Sequence, residues 1–452
     1  MSERRTVDRA ATAAGQALSA RAGTTAVVDA HGIGAFLPAA LARHGVDTVH
    51  VCSDTPDLQM AGRAQGDFAV EIRHRGDVAA TARALREHGV GFVIAGTESG
   101  VLLADRLSAE LGTPGNGMSR PAARRDKYEM AAAVREAGLA TASCIATSSP
   151  EELTRWARDR DDWPVVLKPR ASAGTDNVRF CRSEEELRAA FAAVTAATDR
   201  YGGSNATVVA QEFLRGDEYF VNTVSRGGAH HMVEVWRYHK SPVDGDRPMY
   251  DYEEPVPPDD PAVRTVVPYV LSVLDALEIR NGAAHTEVVL TARGPVLVEC
   301  AARAGGSHAP AVVSAFLGTD QLDCMARAIA HPEDLAEGRL PRYRPRSHLR
   351  YVTLINPYEQ AVLSKEHLAA VRALGSFVDL VLTLPEGAPL PRTVDLFTSP
   401  GYLYLASADA ATVEADYRRL RDLERNGLYE VAVSGRPASL PERDTQKGTR
   451  IP

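Results

Sequence analysis

The sequence predicts a multidomain fold of α/β and α+β type, with an open parallel α/β domain first and an α+β domain last. Three observations carry this. At 452 residues the chain is long enough for about three domains. Between residues 24 and 96, apolar strands alternate with helical stretches, the pattern of a parallel sheet covered by helices. After Pro341-Arg342-Tyr343-Arg344-Pro345 the texture changes again, to strands and helices of a further unit.

Taken in order, TTAVVDAHGIGAFLPAALARHGVDTVHVCS (24–53) reads as strand, glycine turn, helix and strand. VAATARALREHG and VGFVIAGTE follow as helix and strand, turning at Gly96. The HGIG turn lacks the third glycine of a dinucleotide fingerprint, having Phe36-Leu37 there, and the nearest acid to the second strand is Asp54. Nicotinamide chemistry is therefore discounted. The helix YEMAAAVREAG follows Lys127, and WPVVLKPRASAGTDNVRFC reads as strand, small-residue loop and strand. SEEELRAAFAAVTAA is helical with an acidic first turn that suits the helix dipole. TVVAQEFL is a buried strand, and EYFVNTVSRGGAHHMVEVWRYH is a hairpin turning at Arg226-Gly227-Gly228. The polar, Pro-rich stretch 241–261 is expected to be a long functional loop, followed by a helix at 262–278. LRYVTLINP, KEHLAAVRAL, FVDLVLTL, GYLYLASA and DAATVEADYRRLRDLE supply the last domain. The expected boundaries are a tail at 1–22, domains at 23–122, 123–344 (with a small lid at about 140–210) and 345–440, and a tail at 441–452.

Composition narrows the function. The 44% hydrophobic and 24% charged residues are those of a globular protein, and no apolar run approaches the roughly 20 residues of a membrane span. A net charge of −8 excludes a general nucleic-acid binder, which needs clustered Lys and Arg. Five scattered cysteines without a C-x-x-C pair suit a reducing compartment, and the N-terminus lacks the apolar segment of a secretory signal, so a cytoplasmic location is expected.

The chemistry is expected around HTEVVLTARGPVLVEC (285–300). If Ala292-Arg293-Gly294 form a three-residue turn, Thr291 faces Pro295, Val289 faces Leu297, and Glu287 faces Glu299. Opposed like charges destabilise a strand pair unless a proton, an arginine or a divalent cation lies between them. Mg²⁺ held by carboxylates and phosphates is one such solution. Arg303, four residues after Glu299, suits a phosphate or carboxylate. Lys168, in a Val-Val-Leu-Lys-Pro strand before Ala171-Ser172-Ala173-Gly174-Thr175, and Lys127 are phosphate candidates. Gln211-Glu212-Phe213-Leu214 offers a strand edge to a purine, and Glu218 an acceptor for ribose hydroxyls.

This order of pieces resembles the ATP-grasp superfamily from about Lys127 to about Ala330, and HTEVVL…GPVLVECAARAGG is most similar to its L-amino acid ligase branch, the dipeptide-forming, bacilysin-type enzymes. Many ATP-grasp enzymes read Glu-x-Asn-x-Arg at the second carboxylate; here Ala301 replaces the Asn while Arg303 stays. The resemblance implies a central ATP-grasp fold, ATP and Mg²⁺ as cofactors, and an ADP-forming ligase making an amide bond from an amino acid or related carboxylate and an amine, as in natural product biosynthesis. It implies that Lys127 and Lys168 hold phosphates under the Ser172, Gly174 and Thr175 loop. Glu212, Phe213 and Leu214 would meet adenine, and Glu218 the ribose. Glu287 and Glu299 would ligate Mg²⁺, and Arg303 would stabilise the transferred phosphoryl group. Gly305, Gly306 and Ser307, with Tyr238 and His239, would line the substrate site; Ala304, Ser307 and Ala309 are small enough for a roomy pocket. His285, Tyr238, His239 and Tyr250 are all candidates for the base that takes the amine's proton. A ligase or carboxylase acting on another carboxylate, or a noncatalytic ATP-binding module, would share the nucleotide site. A homodimer is compatible with the sequence.

Overall fold

The computed structural model describes residues 23–53, 68–171, 177–198, 203–243, 247–306 and 308–431. The expected tails, together with Ser172, Gly174, Thr175 and Ser307, lie outside the described residues.

The first unit is a parallel sheet of β1 (Thr24–Val28), β2 (Thr48–Cys52), β3 (Glu71–Arg73) and β4 (Val90–Ala95), in the order β3-β2-β1-β4. Ala26, Val27 and Val28 are fully buried, as a parallel strand covered on both faces must be. Chain order reverses beside β1, so the loops leaving the carboxyl ends of β1 and β4 run side by side. Two loops meet there backbone to backbone: a Cβ on Gly96 would lie 2.7 Å from the Asp29 carbonyl oxygen.

A small antiparallel sheet follows, β5 (Cys144–Thr147), β6 (Val165–Pro169), β7 (Arg179–Cys181) and β8 (Val208–Glu212), in the order β5-β8-β6-β7. Helices Pro150–Arg160 and Glu184–Ala196, capped by Ser149 and Ser183, pack on it.

The body is an eight-stranded sheet, ordered β13-β12-β9-β10-β11-β14-β17-β16. Its strands are β9 (Gly216–Arg226), β10 (Ala229–Val243), β11 (Arg247–Pro255), β12 (Gly282–Thr291), β13 (Gly294–Ala301) and β14 (His348–Thr353), then, beyond the short β15 (Ala361–Leu363), β16 (Phe377–Leu382) and β17 (Gly401–Ser407). β15 pairs with β18 (Tyr429–Val431). The β9–β10 turn falls on Gly227-Gly228, both at positive φ.

Two expectations change. Residues 247–255 are not loop but β11, antiparallel to β10. The prolines suggested a break, yet the polar residues are satisfied from outside the strand: buried Asp251 accepts from Tyr417 (2.7 Å) and Arg421 (2.6 Å) of helix Ala410–Arg425. Strands β14, β17 and β16, from the last part of the chain, extend the body sheet across the β11–β14 pairing. The β12–β13 turn leaves two residues, Ala292 and Arg293, between the closing pair Thr291 and Gly294. Val288 then faces Leu297, and a bulge that leaves Val298 without a partner restores Glu287 opposite Glu299. The turn is a residue shorter than expected; the opposition of the two acids stands.

Candidate active site

Strand alternation gathers the site on one face of the body sheet. Cross-strand pairing sets His285 beside Asn222, Glu287 beside Phe220, Tyr238 beside Glu218, and Glu234 beside Asn222. The same face carries Tyr250 and Glu253 from β11 and Glu299 from β13.

The two acids are met by different partners. Lys127, first residue of helix Lys127–Glu136, reaches Glu299 at 3.0 Å. Asp126 caps that helix and also binds Arg170, so the position of Lys127 is fixed from both sides. Glu287 accepts from Tyr238 Oη at 3.1 Å and lies 3.4 Å from His285 Nε2. Burial opposes the charge on Glu287, but His285 first, then Lys240 and Tyr238, hold its carboxyl below the usual range. Lys168 is 6% exposed, and no described residue accepts a hydrogen bond from it. Burial, then the charge of Lys127, pushes its ammonium down to about 8. A buried ammonium facing a second lysine is a site that gains from an anion.

Beyond Glu299 the chain runs to Arg303, whose Nε meets Glu98 at 2.9 Å and whose Nη1 donates to the Ala304 carbonyl at 2.7 Å. The Gly305 amide donates to Gln321 at 2.8 Å. A Cβ on Gly305 would lie 3.1 Å from both Asn222 Oδ1 and His285 Nδ1, so the loop passes close to the histidine and a side chain there would press on it by a few tenths of an ångström. On Gly306 a Cβ would meet nothing within 4 Å. His285 Nδ1 pairs with Asn222 Oδ1 at 2.8 Å, and Asn222 Nδ2 donates to Glu234 at 2.8 Å. This chain turns Nε2 toward Glu287.

Other expected residues sit differently. His239 falls on the opposite face, where it pairs with Glu254 (2.8 Å) and stacks on Tyr252 (4.2 Å between centroids). His239 is therefore not among the substrate-lining residues expected from the sequence, because period-two alternation after Tyr238 turns it away. The Glu212 carboxylate is not aimed at a ligand. It binds Arg160 (3.1 Å) and Arg293, the latter from the β12–β13 turn, so only the backbone of 212–214 can offer a purine edge. Phe213 packs edge-on against Phe180. Glu218 is held by Lys240 at 2.7 Å; burial raises its carboxyl, Lys240 opposes, and Glu287 raises it further. Tyr238 and Tyr250 are pushed well above the ordinary tyrosine value, by burial and then by Glu287. Both therefore stay protonated at neutral pH, and Tyr238 donates to Glu287.

Lys240 and Glu98 escaped the sequence reading. A signal for Lys240 exists: only five of the 51 basic residues are lysines (Lys127, Lys168, Lys240, Lys365, Lys447), and three of those five meet in this site. In a chain that uses arginine by default, a lysine marks a place where a compact point charge is wanted. Glu98 follows β4 in Gly96-Thr97-Glu98-Ser99, at the carboxyl end of a parallel strand, where such folds place ligands.

Residues 126–309 match the family model described as phosphoribosylglycinamide synthetase, ATP-grasp (A) domain. Dapdiamide A synthase of Enterobacter agglomerans is 30% identical over 406 residues, covering 88% of this chain and 95% of that protein. The crystal structure of an L-amino acid ligase from Bacillus licheniformis superposes with a TM-score of 0.68 at 19% identity, covering 89% of this chain and 98% of that one. A carboxyaminoimidazole ribonucleotide synthase from Aspergillus clavatus, solved with ATP, gives a TM-score of 0.64 at 15% identity, covering 89% and 98%.

Proposed function

Because the chain belongs to the ATP-grasp superfamily of ADP-forming carboxylate–amine ligases, whose cofactors are ATP and Mg²⁺, we propose that it joins an amino acid or related carboxylate to an amine, forming a dipeptide-like amide through an acyl phosphate. The observation that carries the reading is the opposition of Glu287 and Glu299 beside Lys127 and the buried Lys168. Dapdiamide A synthase and the L-amino acid ligase support the amino-acid side of the proposal by likeness.

The residues present fit the implied groups. Mg²⁺ takes oxygen ligands, usually one or two carboxylates plus substrate phosphates, and Glu287 and Glu299 are that donor set. When bound, Mg²⁺ neutralises phosphate charge during phosphoryl transfer. Lys127 and Lys168 hold phosphate oxygens, the backbone of Glu212, Phe213 and Leu214 meets the adenine, and Glu218, steadied by Lys240, accepts from the ribose. Arg303, with Nε and Nη1 already engaged, presents Nη2 to the carboxylate being activated and to its phosphoryl group. Gly305 and Gly306 let the substrate approach the backbone after Arg303. With His239 turned away and both tyrosines held protonated, His285 Nε2 is the acceptor for the amine's proton. No nucleophilic side chain is required, since positioning and charge neutralisation supply the rate.

The test is phosphate release over pairs of amino acids and amines, with product mass. Release that depends on both partners and yields an amide of their summed mass less water supports the proposal. Release insensitive to amino acids points to another carboxylate, and ATP binding without turnover to a noncatalytic module.

A further inference from the structure

Glu98 belongs to the first domain, yet both its oxygens point at arginines of the ATP-grasp region. Oε1 lies 2.5 Å from Arg125 Nη1 and Oε2 lies 2.9 Å from Arg303 Nε. The residue is 6% exposed. Its neighbours on both sides are tied down: Thr97 Oγ1 donates to the Asp29 carbonyl (3.0 Å), and Ser99 Oγ donates to the Asp29 carboxylate (2.6 Å). Asp29 is itself fixed, since Ser53 donates to the same carboxylate through its amide (2.8 Å) and its hydroxyl (2.8 Å), and its own φ is +55°. Gly96 N–H donates to the Val28 carbonyl at 2.7 Å, closing the loop onto β1.

Resting on the ligase reading above, we propose that Glu98 is a positioning residue for Arg303, through which the first domain sets the orientation of the guanidinium at the reacting carboxylate. An arginine on a loop has four rotatable side-chain bonds, and only a second contact besides Ala304 fixes its plane. Glu98 supplies that contact from a rigid element. Arg125 on its other oxygen keeps the carboxylate from turning to solvent, so the order Arg125–Glu98–Arg303 runs from scaffold to substrate. A rotation of the guanidinium by Glu98 loss leaves nucleotide binding in place and misaligns the group that meets the transferred phosphoryl, which costs turnover.

The test is a double-variant cycle in the full chain, using the acid and amine pair that supports ADP formation by the unaltered protein. Glu98→Gln is expected to lower kcat roughly 10- to 100-fold while KM for ATP stays within about twofold. In an Arg303→Lys background, where no Nε fork remains, the same change is expected to cost less than about twofold further. Glu98→Asp, which keeps the charge, should recover part of the loss. Equal fold losses in both backgrounds, a loss confined to KM for the amino acid, or unaltered kcat in Glu98→Gln would each overturn the proposal. If the unaltered chain consumes ATP with no acid and amine pair, the ligase reading itself fails, and the proposal is then judged by side-chain NMR. The Arg303 Nε–H signal, identified by its loss in Arg303→Lys, should exchange slowly with solvent in the unaltered protein and quickly in Glu98→Gln; equal exchange rates would overturn it. Thermal melts of Glu98→Gln and Glu98→Asp show whether either has unfolded, and Glu98→Asp carries the cycle if Glu98→Gln has.

Discussion

Lys168 offers a pH signature that separates a phosphate ligand from a surface lysine. In the unliganded protein, burial and then Lys127 bring it down to about 8. Its charged fraction then falls from about nine-tenths at pH 7 to about one-tenth at pH 9. ATP needs the charged form, so Kd for a non-hydrolysable Mg-ATP analogue is expected to be flat to pH 8 and to rise about tenfold per unit above it. Stability moves the other way. The folded value lies below the unfolded value of about 10.4, so between about 8 and 10.4 the unfolded chain holds more protons and unfolding free energy rises with pH. Below about 8 both states are charged and this contribution does not vary. Calorimetric titration from pH 7 to 9.5, beside chemical denaturation at the same pH values, reads both slopes. Lys168→Arg, charged throughout, should abolish the break in Kd whatever its absolute affinity. A flat Kd for the unaltered protein across this range would refute the phosphate assignment of Lys168.

Four further outcomes follow from the same geometry. Glu299→Ala should remove turnover while leaving the thermal midpoint within a few degrees, as measured by ADP release and calorimetry; surviving activity would refute the metal assignment. Gly305→Ala should reduce kcat through displacement of His285, because the new Cβ would lie 3.1 Å from Nδ1, and a crystal structure of the variant should show the ring moved. Asp251→Ala removes one of the two carboxylates on buried Arg421, leaving Glu424 at 2.6 Å, and should cost about 1–3 kcal/mol by urea denaturation, the loss of a charged hydrogen bond at a buried site. Lys240→Met should weaken nucleotide binding and lower stability by roughly 1–3 kcal/mol, because Glu218 loses a charged hydrogen bond at a partly buried site.

Much of this architecture is legible in the sequence, and the exceptions have physical causes. Continuous apolar runs such as TTAVV and VGFVIA announce a parallel sheet because both faces must be covered. The Glu287–Glu299 opposition is legible because two charges in an apolar hairpin demand a partner, and it stands although the turn is a residue shorter than the glycine suggested, since the bulge at Val298 absorbs the difference. β11 is illegible because its stability comes from Arg421 and Tyr417, more than 160 residues away in sequence. Glu98 is hidden likewise, since its partner Arg303 lies 205 residues away in sequence. His239 was misplaced because a run of polar aromatic residues, Tyr238-His239, carries no mark of which one faces the site until the pairing of β10 with β9 and β11 is known. The partner of the Glu212 carboxylate is equally hidden, since Arg293 reaches it from a turn on another sheet.

The central claim, that this site spends ATP to join a carboxylate to an amine, is tested most directly by mass spectrometry of reactions containing ATP, Mg²⁺ and paired amino acids, with ADP measured alongside. ADP and an amide product should form in equal amounts, and both should be absent with Glu299→Ala. ADP formed without any amide, or amide formed without ADP, would contradict it.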